Sequence, residues 1–281
     1  MMKSYAQLFL LIQTLNPSEK RYLKLESEAG ERGGSTQYMD LFRLLDSQDV
    51  YDPEELRKQF KGEQFLKHLP VAKAYLTDVL LRVLRAYHGK RLPSMHVSRG
   101  LDEIEVLLEK GQVEMARRWV KKNAKLAGKL ADFSALLKLC QYERRIAKLS
   151  PGKNLLESLS NLEKKEIKLL NQYQVQLRIR QIHDQFYAIR TQNAGKVKPS
   201  ELNVFLPLLA DSALQFSENQ LDPESRINKA NIFAIYHQLL GQNQSVLNWY
   251  ENIVNQWEQF PEKQKQEPYL YLKSLMDYLD Y

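Results

Sequence analysis

Residues 101–130 read LDEIEVLLEKGQVEMARRWVKKNAKLAGKL, and this stretch decides the fold class. Leu101, Ile104, Leu107 and Leu108 recur at the three- and four-residue spacing of one helical face. Gly111 interrupts the pattern, and Met115, Ala116, Trp119, Val120, Leu126, Ala127 and Leu130 then begin a second stripe. Two amphipathic helices joined by a short glycine turn form a helical hairpin. A second copy follows downstream, where Ala230, Phe233, Ala234 and His237 lead to Gly241, then Val246, Tyr250, Ile253, Trp257 and Pro261.

Composition agrees with an all-α chain. Strand formers are scarce, with Thr only at positions 14, 36, 77 and 191. Leu, Lys, Glu, Gln and Arg, which lose little rotamer freedom in a helix, fill the periodic segments. Helix starts are written out at Asn16-Pro17-Ser18-Glu19, Asp52-Pro53-Glu54-Glu55 and Asp222-Pro223-Glu224, each a capping residue followed by proline at the first helical position. These signals predict helices over 2–14, 17–28, 36–48, 53–60 and 65–88, with a flexible loop at Gly30–Ser35. The stretch from Gly89 to Ser98, containing Pro93, reads as a domain junction. It separates a helical N-terminal region, 1–92, from a hairpin array, 93–281. Asn154 to Gln192 is helical throughout, as one very long helix or two that kink near Gln172-Tyr173-Gln174. A coiled coil fails in register at Glu166 and Arg180.

An alanine five residues past the turn glycine, as Ala116 follows Gly111, resembles the TPR hairpin. In the second copy Val246 takes that place, so the resemblance there is to a degenerate repeat. The opening, Leu8-Phe9 and then Leu15-Asn16-Pro17-Ser18-Glu19-Lys20-Arg21-Tyr22-Leu23-Lys24-Leu25, resembles the start of a family of uncharacterised helical proteins from Bacteroidetes-type bacteria. That resemblance implies TPR-like repeats downstream, a stacked α-solenoid fold and a longer natural chain. It implies no activity and no catalytic residues. The last segment, Pro268 to Tyr281, is amphipathic through Tyr269, Leu272, Leu275, Met276 and Leu279 and lacks a polar cap. The expectation is that the chain continues, or that this helix packs on a partner, including a second copy of the chain.

Several chemistries lack the residues they need. Gly30, Gly33 and Gly34 match neither glycine-rich phosphate fingerprint. The five histidines, His68, His88, His96, His183 and His237, are scattered, and no metal-ligand pair is spaced along a helix. His183 and Asp184 are adjacent, a spacing that points side chains apart on a helix. The lone Cys140 lies on an apolar face as a core residue and cannot form an internal disulfide, so cytoplasm is the default compartment. Gln7 and Gln13 interrupt the apolar Leu8–Ile12 run, which therefore reads as a helix face and not a signal peptide. The expectation is a non-enzymatic protein without catalytic residues, metal or cofactor.

Charge is the informative feature. Residues 1–92 carry 15 basic and 12 acidic side chains, residues 93–200 carry 21 and 11, and residues 201–281 carry 5 and 11. Within the basic middle, Arg117, Arg118, Lys121, Lys122, Lys125 and Lys129 recur by threes and fours and read as one cationic face. Trp119, Val120, Ala127 and Leu130 are expected opposite. Lys138, Arg144, Arg145 and Lys148, then Lys164, Lys165 and Lys168, extend the charge to the following helices. Such a face suits an acidic protein or peptide segment held in a TPR-like groove. Nucleic acid is the alternative ligand. Single-strand binding also wants aromatic rings among the cations, and with Trp119 on the far side the protein partner is preferred. No membrane partner is implied.

Overall fold

A computed structural model describes residues 2–29, 36–60, 69–89, 92–192 and 205–281, and every regular element among them is a helix. The chain divides into two compact units, Met1–Arg91 and Leu92–Tyr281. The Gly30–Ser35 loop and the start of the helix expected from residue 65 lie outside the described residues.

The first unit holds α1 (Met2–Gln13), α2 (Pro17–Ala29), α3 (Thr36–Ser47), α4 (Pro53–Gln59) and α5 (Leu69–His88). Its core gathers Leu8, Phe9, Ile12, Leu23, Phe42, Leu45, Leu56, Leu76, Leu80 and Val83. The starts of α2 and α4 carry the caps written in the sequence. Asn16 Oδ1 accepts from the Glu19 backbone N–H at 3.0 Å, and Glu19 Oε2 accepts from that of Asn16 at 2.8 Å. Asp52 Oδ1 accepts from the backbone N–H groups of Glu54 and Glu55. The buried Glu19 also meets His88 Nε2 at 2.7 Å, which ties α2 to the end of α5.

The second unit opens with α6 (Pro93–Glu109), α7 (Val113–Leu130) and α8 (Phe133–Leu149), followed by α9 (Leu155–Gln192). Proline at its first position starts α6, so the stretch read as a junction is already helical from Pro93. The region after Asn154 is one uninterrupted helix of 38 residues. Next come α10 (Phe205–Leu209), two single-turn 3-10 segments, α11 (Pro223–Leu239), α12 (Asn243–Gln259), α13 (Pro261–Gln266) and α14 (Pro268–Leu279). α6 packs on α7, α7 on α8 and α8 on α9; α9 also packs on α11, and α12 packs on both α11 and α14.

Three helix ends share one geometry. The amides of Gly111 and Gln112 bond to the Leu108 and Leu107 carbonyls, those of Gly241 and Gln242 to Gln238 and His237, and those of Ala131 and Asp132 to Gly128 and Ala127. This double bond pattern needs a left-handed residue, and φ is +70° at both glycines and +51° at Ala131. Ala116 and Val246, each five residues past its glycine, are fully buried.

The core of the second unit is continuous in kind: Ile104, Val120, Leu139 and Ile146 at one end, Ile179, Phe186, Phe205 and Ile232 around α9, then Ala234, Ile253 and Trp257. Cys140 is buried in it, and burial pushes its thiol pKa up. Ion pairs clamp the helices: Arg144 to Glu166 at 2.6 Å and Lys165 to Glu143 at 2.9 Å join α8 to α9, and Arg180 to Glu224 at 2.6 Å joins α9 to α11. No helix among the described residues is long and apolar enough to cross a membrane.

Candidate functional site

The buried register of α7 is Ala116, Val120, Asn123 and Ala127, spaced four, three and four, and it fixes which residues face outward. The six cations do not share one face. Arg117 and Lys121 stand at the edge near α8, where they line a cavity of about 500 Å³ with Glu143, Ile146 and Leu155. Lys122, Lys125 and Lys129 stand at the opposite edge and line a cavity of about 560 Å³ against α6. Arg118 is exposed between the two sets. Arg117 pairs with Glu114 at 3.3 Å, and Arg118 Nε donates to the Glu114 carbonyl at 3.4 Å. Lys121, Lys122, Lys125 and Lys129 have no carboxylate within ion-pair distance among the described residues.

Trp119 corrects a second expectation. It does not lie opposite the cations; it lines the α6–α7 cavity, half-buried, with Lys122 Nζ 4.3 Å from its ring centroid. Successive residues turn about 100° around a helix, so Trp119 and Lys122 are only about 60° apart. Lysine and indole at that spacing meet as a cation–π pair. Leu126 lines the same wall, whereas Val120 and Ala127 are in the core as expected.

The basic continuation along α8 and α9 is mostly structural. Arg145 bridges to Glu105 at 2.7 Å and Glu109 at 2.9 Å on α6, and Arg144 and Lys165 are held in the α8–α9 pairs. Lys138 lies 5.1 Å from the Tyr142 ring. The Tyr142 hydroxyl and Arg145 hold the Glu105 carboxyl below the usual carboxylate range. Burial, with Glu105 alongside, pushes the Tyr142 phenol up to about 12. Lys148, Lys164 and Lys168 stay exposed and make no ion pair among the described residues, so the unspent charge lies on α7 and at these three positions.

The facing wall of the α6–α7 cavity comes from His96, Arg99, Gly100 and Glu103, none of which the periodicity singles out. Arg99 Nε donates to Glu103 at 2.8 Å. Gly100 and Asn123 form the floor. A cue for both exists in the sequence: a glycine inside a helical pattern, and an asparagine in an otherwise apolar register.

A second groove, of about 380 Å³, runs between α9, α11 and α14 and includes His183, Tyr187, Arg190, Asn231 and Lys273. Arg190 and Lys273 both lie over the Tyr187 ring, at 5.3 Å and 5.7 Å. His183 Nδ1 and Asp184 Oδ1 are 3.8 Å apart, closer than their adjacent positions suggest, and burial still pulls the His183 pKa down. On α14, Tyr271, Ser274 and Tyr278 pack toward α12, while Tyr269, Leu272, Met276 and Leu279 stay exposed. No group of three His, Cys, Asp or Glu side chains that could hold a metal occurs among the described residues. Comparisons with protein-family models, curated proteins and solved structures find no match to this chain.

Proposed function

We propose that this chain is a cytoplasmic, non-enzymatic scaffold of TPR-like stacked hairpins that binds an acidic partner segment along α7. What supports the stacking is the pairing of successive helices through left-handed turn residues, with a small residue buried five positions later at Gly111 and Ala116. What carries the binding reading is a contrast in charge pairing. Arg144, Arg145, Lys165 and Arg180 spend their charge on carboxylates of neighbouring helices, whereas Lys122, Lys125 and Lys129 crowd one cavity edge without any. Like charges so close repel, and an anionic ligand relieves that repulsion.

Nucleic acid remains the second reading, because Trp119 does stand beside these cations. A single indole whose face already carries Lys122 is a poor platform for successive bases, so the peptide is preferred. The test is fluorescence anisotropy with labelled oligoglutamate and with oligothymidylate, on the wild type and the Lys122→Glu/Lys125→Glu/Lys129→Glu variant. Oligoglutamate binding that weakens with salt and is lost in the variant is the expected result. Oligoglutamate binding equally well to the variant would sink the proposal. Separately, the exposed α14 stripe favours self-association; light scattering that shows a monomer at high concentration would remove that reading.

A further inference from the structure

The cavity between α6 and α7 has a polar floor that helix packing does not call for. Asn123 shares the buried register of Ala116, Val120 and Ala127 and is only 6% exposed. Its carboxamide lines the cavity and has no hydrogen-bond partner in the chain among the described residues. Room for it comes from Gly100. A Cβ at that position would lie 1.8 Å from Asn123 Nδ2 and 2.3 Å from Oδ1. Glycine inside a helix is unfavourable, and an asparagine in an otherwise apolar register leaves its carboxamide free toward the cavity. Here the two coincide in the cavity that Lys122, Lys125 and Lys129 also line.

We infer that this groove grips the main chain of its ligand: the Asn123 carboxamide pairs with the N–H and C=O of one residue of an extended acidic segment, and the three lysines take the flanking carboxylates. A carboxamide presents a donor and an acceptor side by side, and the N–H and C=O of one residue in an extended chain, which point to the same side, offer the complement. A phosphodiester backbone offers acceptors only and would leave Asn123 Oδ1 unpaired. Leu126, on the same wall, gives an apolar contact for the aliphatic part of the segment. The inference rests on the acidic-partner reading above and adds recognition of the backbone to recognition of charge.

The experiment compares two polyanions on the full chain by fluorescence anisotropy. One is labelled oligoglutamate; the other is an acrylate oligomer with the same number of carboxylates and no peptide groups. Oligoglutamate is expected to bind about tenfold tighter, the worth of one well-made pair of hydrogen bonds. Asn123→Ala, and Asn123→Ser as a second variant, are expected to bring oligoglutamate down to the acrylate level and leave acrylate binding unchanged. Equal binding of the two polymers to the wild type would overturn the backbone grip and leave the acidic-partner reading standing. Binding of neither would overturn both. Oligothymidylate bound more tightly than oligoglutamate, with the same Asn123 dependence, would overturn the peptide assignment in favour of nucleic acid.

Discussion

Replacing Gly100 by alanine sets two effects of opposite sign against each other. Alanine in a helix interior is about 1 kcal/mol better than glycine, so α6 alone gains. The new methyl, however, would stand 1.8 Å from Asn123 Nδ2 and 2.4 Å from its Cγ, so the whole carboxamide has to leave its place. Forcing an extra methyl into a packed contact costs about 1–3 kcal/mol. The net expectation for Gly100→Ala is destabilisation, by about 1 kcal/mol at the middle of those ranges. Asn123→Ala removes the obstacle, so on that background the same glycine replacement should stabilise by about 1 kcal/mol. Urea unfolding followed by circular dichroism, on the wild type, both single variants and the double variant, measures the four corners of this cycle. A Gly100→Ala effect of equal size on the wild-type and Asn123→Ala backgrounds would show that Asn123 does not rest on Gly100.

Other perturbations follow from the same geometry. At Gly111 and Gly241 nothing lies within 4 Å of an added Cβ, so Gly→Ala there should cost only the left-handed backbone penalty, about 1–2 kcal/mol. Ala131→Gly should stabilise α7 by up to about 1 kcal/mol; no gain in urea midpoint would mean that Ala131 is not left-handed. Glu19→Ala removes both a cap and the His88 contact, and should lower the stability of the first unit by about 1–3 kcal/mol; an unchanged melting temperature would contradict that role. Burial holds the His183 pKa below its ordinary 6.5, so the unfolded chain takes up a proton that the folded chain resists. That contribution to stability is present above pH 6.5 and lost as pH falls below it, and His183→Gln should flatten the loss; identical acid profiles for variant and wild type would refute it.

The helices were legible because their caps and periodicities act locally. Asn16, Asp52 and Asp222 each cap the helix their sequence signature announces, and the glycines at 111 and 241 adopt the φ that only glycine adopts freely. The site was less legible, for physical reasons. Spacing by threes and fours gives the cations of α7 a common side, but their arc is wide enough for two cavities to divide it. Which lysines and arginines are spent depends on carboxylates distant in sequence: Arg145 finds Glu105 and Glu109, and Arg144 finds Glu166. No single-helix pattern contains that information. Trp119 departs from its expected place because a stripe of apolar residues is wider than one face, and its edges border the cations. Gly100 and Asn123 are each ordinary in a single-helix pattern, and only their contact across two helices gives them a purpose. The exposed stripe of α14 is the converse case, where the apolar pattern marks the face that the rest of the chain leaves uncovered.

The central claim is that the lysine edge of α7 and the wall of α6 facing it form the binding surface. The most direct measurement is a backbone amide chemical-shift titration of the full chain with oligoglutamate. Shifts are expected to concentrate at Lys122, Asn123, Lys125 and Leu126, with Gly100 and Glu103 across the cavity, and none of comparable size in the α9–α14 groove. Shifts centred on Tyr187, Arg190 and Lys273, with α6 and α7 unmoved, would contradict it.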